Sequence, residues 1–425
     1  MRLSLSPVRA DDLGVNATLA RTPAALPILA SHWSIRPGLT FLNHGSYGAV
    51  PNVVLKHQSD LRLRMEQDAV RFFKVDLENL MDDMRARVGA FLGCPGPTLA
   101  PMVNATVALA TILRQEAFRP GDEILVTDHE YMSGINELER ICAASGARIV
   151  RAAVPFPASS PDEVVHAVQS AISPRTRFMM VSWITSATSL IFPIRQLIAL
   201  GRQHGITTLV DGTHAPGQIP VDIADLNPDY FVGSGHKWLS APKGTGFLYV
   251  PAERQANFRP VCLSSRAHKV RPERPLFLRD FDYMGTDDYS GILSVPAAID
   301  FMGSILPGGW NALYTQNHDL VIRGVQVLQN ALGLPVCGPE SMIGTMATLI
   351  LPDPPAGARP TKYDDALQDA LVDRHGVVVP IWQFQPLGAT KPLRVLRISA
   401  QVYNSIEDYH RLADALAEEL TREQA

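Results

Sequence analysis

The sequence has few of the features that mark secreted, membrane or nucleic-acid-binding proteins. Only four of its 425 residues are cysteines, and none lies in a Cys-x-x-Cys pair, so we expect neither a disulfide framework nor a metal site. The formal net charge of -4 gives no positive field for nucleic acid or an anionic membrane. No apolar run approaches the ~20 residues of a membrane span, and residues 1–23 lack the apolar core of a secretory signal. We therefore expect a soluble, cytoplasmic protein.

What the sequence does contain is a large apolar fraction, 46% against 19% charged residues, arranged in two alternating patterns. Short apolar runs bounded by polar residues predict strands, and apolar residues at helical spacing predict helices between them. Strands alternating with helices predict an α/β fold with a mostly parallel sheet covered on both faces. The predicted strands are 122–128, 176–184, 206–214, 229–237 and 244–251, and helices are predicted at 53–73, 105–118, 162–172 and 194–205.

The pattern changes after residue 292, where a helical stretch leads into a second, smaller α+β domain. The last part of the chain has two apolar runs and a final helix, at 342–352, 393–404 and 406–423. We predict three parts, namely an N-terminal extension (1–35), a large domain (36–295) and a small C-terminal domain (296–425). The first segment of the large domain is expected to pack near the small domain.

One lysine lies in unusual surroundings, in the stretch "GSGHKWLSAPKGTG" at 233–246. A P-loop would need Ser or Thr directly after Lys237, but Trp238 follows it. A dinucleotide-binding G-x-G-x-x-G pattern starting at residue 244 fails because Tyr249 stands at the last position. The pair His129-Glu130 does not continue into a zinc protease motif, since residue 133 is Ser.

A lysine that forms an imine with pyridoxal phosphate (PLP) remains as an explanation, if partners for the rest of the cofactor are present. Asp211 ends one predicted strand, and Lys237 follows the next strand along the chain. Ligands bind at such strand ends in open α/β sheets. A carboxylate there could keep the pyridine nitrogen protonated, so the pair indicates a PLP site more strongly than either residue alone.

Two stretches resemble a known family. Residues 210–250, "VDGTHAPGQIPVDIADLNPDYFVGSGHKWLSAPKGTGFLYV", are similar to fold-type I PLP enzymes of the class V aminotransferase group. Residues 41–51, "FLNHGSYGAVP", resemble its isopenicillin N epimerase-like branch. The resemblance implies a seven-stranded, mostly parallel large domain, a smaller α+β domain, and a homodimer with shared active sites.

The resemblance also implies roles for matching positions. Lys237 would carry PLP and act as acid and base at the substrate α-carbon, Asp211 would pair with the ring nitrogen, and His214 would lie beside the ring. A helix N-terminus would bind the phosphate, as backbone N–H groups there favour anions. Ser189 stands where the family commonly has glycine. The remaining cofactor contacts implied are Asn104, Ala105, Thr106, Ser234 and His236 at the phosphate, Ser186 at the phenolate oxygen, Tyr131 on the ring face, and Thr286 at a neighbouring subunit's phosphate.

Substrate contacts are expected from the C-terminal part and from "NHGSYG". By resemblance, Arg397 would bind the substrate α-carboxylate with two parallel hydrogen bonds. Arg394 lies on the opposite face of the same predicted strand, so only one of the two can face the cleft. His44 and Ser46 are expected near the substrate. The basic stretch at 266–274 is either a solvated loop or a contact for a second substrate carboxylate.

The reaction implied is cleavage of the Cα–H bond of an amino acid, through an imine with PLP and proton abstraction by Lys237. We expect an epimerase-like enzyme. A β-eliminating C–S lyase, a class V aminotransferase and a non-catalytic PLP-binding protein are the alternatives. Cysteine desulfuration is disfavoured because residues 377–391 contain no cysteine to act as nucleophile.

Overall fold

The computed structural model describes residues 28–355, 357 and 360–424, so the predicted extension lies mostly outside the described residues. The strands are β1 Thr40–Phe41, β2 Leu99–Met102, β3 Glu123–Thr127, β4 Arg148–Ala152, β5 Thr176–Ser182, β6 Thr207–Asp211, β7 Tyr230–Ser234, β8 Gly246–Tyr249, β9 Met346–Ile350, β10 Val377–Val378, β11 Ile381–Phe384 and β12 Leu393–Ser399. The helices are α1 Asn52–Gln67, α2 Ala69–Arg71, α3 Leu77–Leu92, α4 Ala105–Leu113, α5 Met132–Ser145, α6 Pro161–Ala171, α7 Ile194–Gln203, α8 Ile223–Leu226, α9 Leu276–Phe281, α10 Ser290–Leu293, α11 Val295–Ser304, α12 Gly309–Leu332, α13 Ala366–His375 and α14 Ile406–Gln424.

The larger sheet has seven strands in the order β2-β8-β7-β6-β5-β3-β4. Strand β8 is antiparallel to both of its neighbours, and every other pair from β7 to β4 is parallel. Both faces of the sheet are covered. In β5, Met179 and Val181 pack into the core with α6 and α7, whereas Phe178 and Met180 pack on the other face with α4 and α5. The predicted mostly parallel seven-stranded sheet is confirmed.

The register of the parallel strands brings polar residues together at one edge. Ser182 on β5 pairs with Asp211 on β6, and Asp211 pairs with Val232 on β7. Lys237 follows β7 by three residues. The carboxyl ends of parallel strands form the usual ligand crevice of such sheets, so the fold places Asp211 and Lys237 at the same crevice.

The smaller sheet has the order β11-β12-β9 with antiparallel pairs, and Leu349 and Leu396 pack with residues of α12 and α14. Strand β1 pairs in parallel with β10, with Thr40 opposite Val377. The chain just before the large domain's first helix is thereby attached to the C-terminal part.

Among the described residues no single helix is long and apolar enough to cross a membrane. One pair bent by 72°, Ser290–Ser304 with Gly309–Leu332, meets the length and composition criteria only when its two parts are taken together.

Candidate active site

Lys237 and His214 are in direct contact: Lys237 Nζ lies 2.9 Å from His214 Nε2. The indole Nε1 of Trp238 donates to His214 Nδ1 at 3.3 Å. Because an indole N–H can only donate, Nδ1 carries no proton, and in the neutral ring the proton is on Nε2. That N–H faces the amine, which can accept it only when the amine is uncharged. The contact therefore describes a neutral amine beside a neutral imidazole.

Charge and burial favour the same protonation states. Burial, with an added contribution from the Arg397 guanidinium and against the opposing effect of Asp211, lowers the pKa of Lys237 from 10.5 to about 7. Burial also lowers the pKa of His214 well below its ordinary value, with Lys237 and Arg397 contributing. A neutral amine is the nucleophilic form of lysine, which suits condensation with an aldehyde.

Asp211 ends β6 and is only 7% exposed. Its Oδ1 accepts the Thr213 N–H at 2.9 Å, which fixes the orientation of the carboxylate. The next residue has to be glycine, since a Cβ on Gly212 would come 2.0 Å from the Phe231 ring. A fixed, mostly buried carboxylate in the crevice of Lys237 is suited to pair with a protonated ring nitrogen.

The N-terminus of α4 forms an anion cradle with the end of β7. Asn104 caps the helix, since its side chain accepts the Val107 N–H at 2.9 Å. The N–H groups of Ala105 and Thr106 are the first two of the helix and have no carbonyl partner within it. The hydroxyl of Ser234 is buried and has no hydrogen-bond partner among the described residues.

The sheet register brings these groups together. Ser234 pairs with Gly246 on β8, and a Cβ on Gly246 would lie 3.2 Å from the backbone of Asn104. An unpartnered hydroxyl beside a helix N-terminus fits the phosphate of PLP. His236 adjoins this cradle and is held by a 3.0 Å contact from Nδ1 to the Thr245 carbonyl.

Arg397 on β12 faces the crevice from the small sheet. Its Nη1 donates to the Ser186 carbonyl at 2.8 Å and lies 3.4 Å from the Ser186 hydroxyl. Its Nη2 donates to Ser46 Oγ at 2.7 Å and to Asn43 Oδ1 at 3.2 Å. The guanidinium carbon lies 5.0 Å from the centre of the Trp382 ring. These contacts hold the fork of Arg397 in one orientation.

Arg394 has a different role from Arg397, as strand alternation predicts. Its Nε donates to Asp365 at 2.9 Å and its Nη1 to Glu423 at 2.8 Å. Both carboxylates lie in the C-terminal part of the chain, and Arg394 forms buried ion pairs with them. The contacts of Arg397 are to neutral oxygens, and no carboxylate among the described residues pairs with it.

Tyr131 and Thr286 border the site from its outer side. Tyr131 precedes α5, is 55% exposed, and lies close enough to Arg397 to affect the pKa of that guanidinium. Thr286 is exposed, and its Oγ1 is 2.7 Å from Tyr283 Oη. It lines a cavity of about 270 Å³ that Val103, next to the anion cradle, also lines.

The two residues expected from "NHGSYG" lie in different environments. Ser46 accepts a hydrogen bond from Arg397, as described above. His44 is 0% exposed. Its Nδ1 lies 2.8 Å from Tyr403 Oη and its Nε2 lies 2.9 Å from the Lys237 carbonyl. Both ring nitrogens are therefore engaged within the protein, and neither is free for a substrate.

Glu130 was missed by the sequence interpretation. Its Oε2 accepts the backbone N–H of Ser182 at 2.9 Å and the Ser182 hydroxyl at 2.6 Å, and its Oε1 accepts from Thr127 at 2.6 Å. Burial, together with the charge of Asp211 and against the hydrogen bonds from Ser182 and Thr127, raises its pKa to about 7. An acidic residue just after an apolar strand, in "TDHE", was the available signal. Asn43 was not named as a site residue although it lies in "NHGSYG", and Tyr403 was also missed, with no local pattern that marks it.

Ser189 takes the backbone shape that glycine would favour at its position. Its φ is 59°, in the left-handed region. The Ser189 hydroxyl lies 2.9 Å from the Thr348 hydroxyl on β9, a contact that helps to offset the conformational cost. The loop that carries Ser186 therefore adopts the left-handed conformation at Ser189 although no glycine stands there.

The basic stretch at 266–274 is occupied by contacts within the chain. Arg271 pairs with Glu78 at 3.0 Å, and Arg274 pairs with Asp82 at 3.1 Å. The guanidinium of Arg266 lies 3.9 Å from the centre of the Tyr283 ring. These pairings support the solvated or structural interpretation of the stretch over a substrate contact.

The fold and the site together define a PLP-dependent enzyme of fold type I. The sequence model for aminotransferase class V matches residues 49–412, and the chain belongs to this family. It is 34% identical over 399 residues to isopenicillin N epimerase of Amycolatopsis lactamdurans, covering 91% of this chain and 96% of that protein. It is 28% identical over 402 residues to a probable chloroplastic L-cysteine desulfhydrase of Arabidopsis thaliana, covering 89% of this chain and 82% of that protein.

Solved structures agree on the fold. The cystine C–S lyase C-DES, solved with its reaction product cysteine persulfide, superimposes with a TM-score of 0.75 at 18% identity, over 89% of this chain and 97% of that one. The predicted family, fold and cofactor are confirmed. The residues matching the family positions fit PLP, through the anion cradle at α4, the carboxylate of Asp211 and the amine of Lys237.

Proposed function

We propose that the protein is an amino-acid epimerase-like enzyme that uses PLP bound at Lys237 to invert the α-carbon of its substrate. The observation that carries the proposal is the neutral Lys237 amine, hydrogen-bonded to His214, in the same crevice as a pre-oriented Arg397. PLP, when bound, supplies an electron sink for the negative charge that remains at the α-carbon after its proton is removed.

The chain's own residues would bind and orient the substrate and would move its α-proton. The fork of Arg397 would exchange its contacts with Ser186 and Ser46 for two parallel hydrogen bonds to the substrate carboxylate, directing the α-hydrogen toward the amine of Lys237. That amine would remove the proton with the lone pair that now accepts the His214 N–H, so the contact with His214 would be released in this step. Asp211 would keep the ring nitrogen protonated. The α4 cradle and Ser234 would bind the phosphate, and Ser186 would donate to the phenolate oxygen.

Inversion requires a proton donor on the face opposite Lys237, and we assign this role to Tyr131. Its exposed ring near Arg397 supports the assignment, as does the similarity to the Amycolatopsis epimerase over nearly the full length. The second candidate is β-elimination at a C–S bond. The observation that favours this alternative is the similarity to the Arabidopsis desulfhydrase. Epimerisation and β-elimination both begin with removal of the α-proton.

Product analysis distinguishes these reactions. A panel of amino acids, including cysteine and cystine, is incubated with the enzyme in D₂O and analysed by chiral chromatography with mass spectrometry. We expect the substrate to be recovered with the opposite configuration and with deuterium at its α-carbon. We expect Tyr131→Phe to keep deuterium exchange while losing inversion by about 10²-fold, the usual contribution of a general acid. Pyruvate, ammonia and sulfide without inversion would establish the lyase instead, and a keto acid with aminated cofactor would establish transamination.

We also propose a homodimer with shared active sites, in the cytoplasm. Thr286 is exposed beside the cavity next to the anion cradle, and large apolar side chains are exposed elsewhere in the chain, including Tyr47 at 72% and Val70 at 73%. The four cysteines are unpaired, which suits a reducing compartment. Light scattering should give twice the 46.4 kDa mass of one chain, and a monomeric mass in active enzyme would contradict the shared site.

A further inference from the structure

Residues 43–48, here called the strap, connect the two halves of the active site. On one side, Asn43 and Ser46 accept hydrogen bonds from the Arg397 guanidinium at 3.2 and 2.7 Å. On the other side, His44 contacts the Lys237 carbonyl, and the Gly48 N–H donates to the His236 carbonyl at 3.1 Å. The strap thus touches both the substrate clamp and the backbone of the lysine.

The hydrogen bonds of His44 have a defined direction. Its Nε2 lies 2.9 Å from the Lys237 carbonyl oxygen, which can only accept, so Nε2 must carry the proton. The bare Nδ1 then accepts the hydroxyl proton of Tyr403 at 2.8 Å. Gln401 Nε2 lies farther from the ring, at 3.4 Å. Burial lowers the pKa of His44 to about 3, so the ring is neutral and this arrangement persists across the working pH range.

The same histidine is tied to the strand that carries Arg397. The backbone N–H of His44 donates to Ser399 Oγ at 2.8 Å, and Ser399 is the last residue of β12. There is no spare room between the strap and the lysine, since a Cβ on Gly48 would come 2.4 Å from the Lys237 carbonyl. Loss of the His44 side chain would remove its contact to the Lys237 carbonyl, while the backbone contact to β12 stays.

We propose that His44, supported by Tyr403, is a positioning residue that sets the place of the Lys237 amine relative to Arg397. The inference rests on the proposed function, because it matters only if Lys237 carries PLP and removes the α-proton. It differs from a substrate-binding role, since His44 is buried and both of its ring nitrogens are engaged.

Displacing Lys237 changes what its amine faces. The groups around it are His214 at 2.9 Å, the cation of Arg397, the carboxylate of Asp211, and His236 in the preceding position. A shift of the amine alters its balance between these charges, so the pH at which the visible absorption of the PLP-loaded protein changes reports its position. Loss of stability alone does not move that pH.

The test compares His44→Leu and Tyr403→Phe with His57→Leu, an exposed histidine on α1. We expect His44→Leu to shift the absorbance titration by at least about 0.5 pH unit. We also expect it to slow deuterium exchange at the substrate α-carbon about 10- to 100-fold, with KM changed less than kcat. Tyr403→Phe should change exchange in the same direction by about 3-fold. His44→Gln, which can still donate to the carbonyl, should recover part of the loss, and His57→Leu should match wild type.

Two results separate the inference from the function on which it rests. If wild-type protein with PLP gives no visible band attached to Lys237, the proposed function fails. If the wild-type band titrates normally but both variants titrate and exchange like wild type, the positioning role is wrong even if their melting temperatures fall. Should His44→Leu not fold, Tyr403→Phe alone decides, because it removes one oxygen and keeps the ring.

Discussion

At the scale of single residues, the protonation state of Lys237 depends on a neighbour that binds no substrate. Trp238 donates to one nitrogen of His214, which places the imidazole proton on the other nitrogen, facing the lysine amine. The indole directly after the lysine in the sequence therefore has a chemical consequence two contacts away. The sequence predicted Lys237, Asp211 and His214 as a group, but it could not predict this hydrogen-bond direction, which depends on side-chain geometry.

The depressed pKa of Lys237 predicts a pH dependence of stability in the PLP-free protein. The folded value is about 7 and the ordinary value 10.5, so between these limits the unfolded chain binds more protons than the folded one. The free energy of unfolding should then rise with pH in this window, by up to about 1.4 kcal/mol per unit. Lys237→Met has no such group, and its curve should lack this contribution. Urea unfolding from pH 7 to 9.5 measures it, and equal slopes for the two proteins would contradict a depressed lysine pKa.

Replacing each arginine of β12 with lysine should have different effects on substrate binding and on stability. Arg397→Lys loses the two-pronged contact, and we expect KM for the amino acid to rise about 10- to 100-fold, with PLP binding nearly unchanged. Arg394→Lys disturbs the buried pairs with Asp365 and Glu423, so we expect it to lower the melting temperature and leave KM close to wild type. Steady-state kinetics and thermal unfolding of both variants check this, and a larger KM effect at Arg394 would reverse the assignment.

At the scale of elements, the predicted strands and helices lie in the right places, but several of their ends differ, as for the strand predicted at 206–214, which is Thr207–Asp211. The run at 176–184 became β5 Thr176–Ser182, since an apolar strand bounded by polar residues leaves little freedom. The helix predicted at 53–73 ends instead at Gln67, because Asp68 leaves the helical conformation and its side chain caps the Arg71 N–H. An aspartate inside a regular apolar pattern can be either surface or cap, and only the structure distinguishes the two.

The N-terminus of α4 allows helix capping to be separated from phosphate binding. Asn104→Asp keeps a good capping oxygen but adds a negative charge beside the cradle, so PLP should bind at least about 10-fold more weakly while the PLP-free protein unfolds at the wild-type temperature. Asn104→Ser, capped and uncharged, serves as the matched control and should resemble wild type in both measurements. Fluorescence titration with PLP and thermal unfolding test this. Unchanged PLP affinity in the aspartate variant would place the phosphate elsewhere.

At the scale of the whole molecule, the site is assembled from residues that are far apart in the chain. Ser46 and Arg397 are separated by 351 positions, and His44 and Tyr403 by 359. Alternating patterns predicted the two sheets because each pattern is local. Contacts across the chain leave no such local trace, so the strap was predicted, from its family-like stretch, to lie near the substrate, and the contact of His44 with the Lys237 carbonyl was not predicted. The domain limits at residues 35 and 295 stay a prediction.

The most direct test of the account is covalent capture of the cofactor. Purified protein loaded with PLP and reduced with borohydride should carry a stable pyridoxyl group on Lys237, located by peptide mapping, and Lys237→Ala should carry none there. Lys243, six residues further on in the same loop between β7 and β8, is the internal control for non-specific labelling. A label at Lys243 or another lysine in place of Lys237, or protein that stays colourless with PLP, would contradict the central claim.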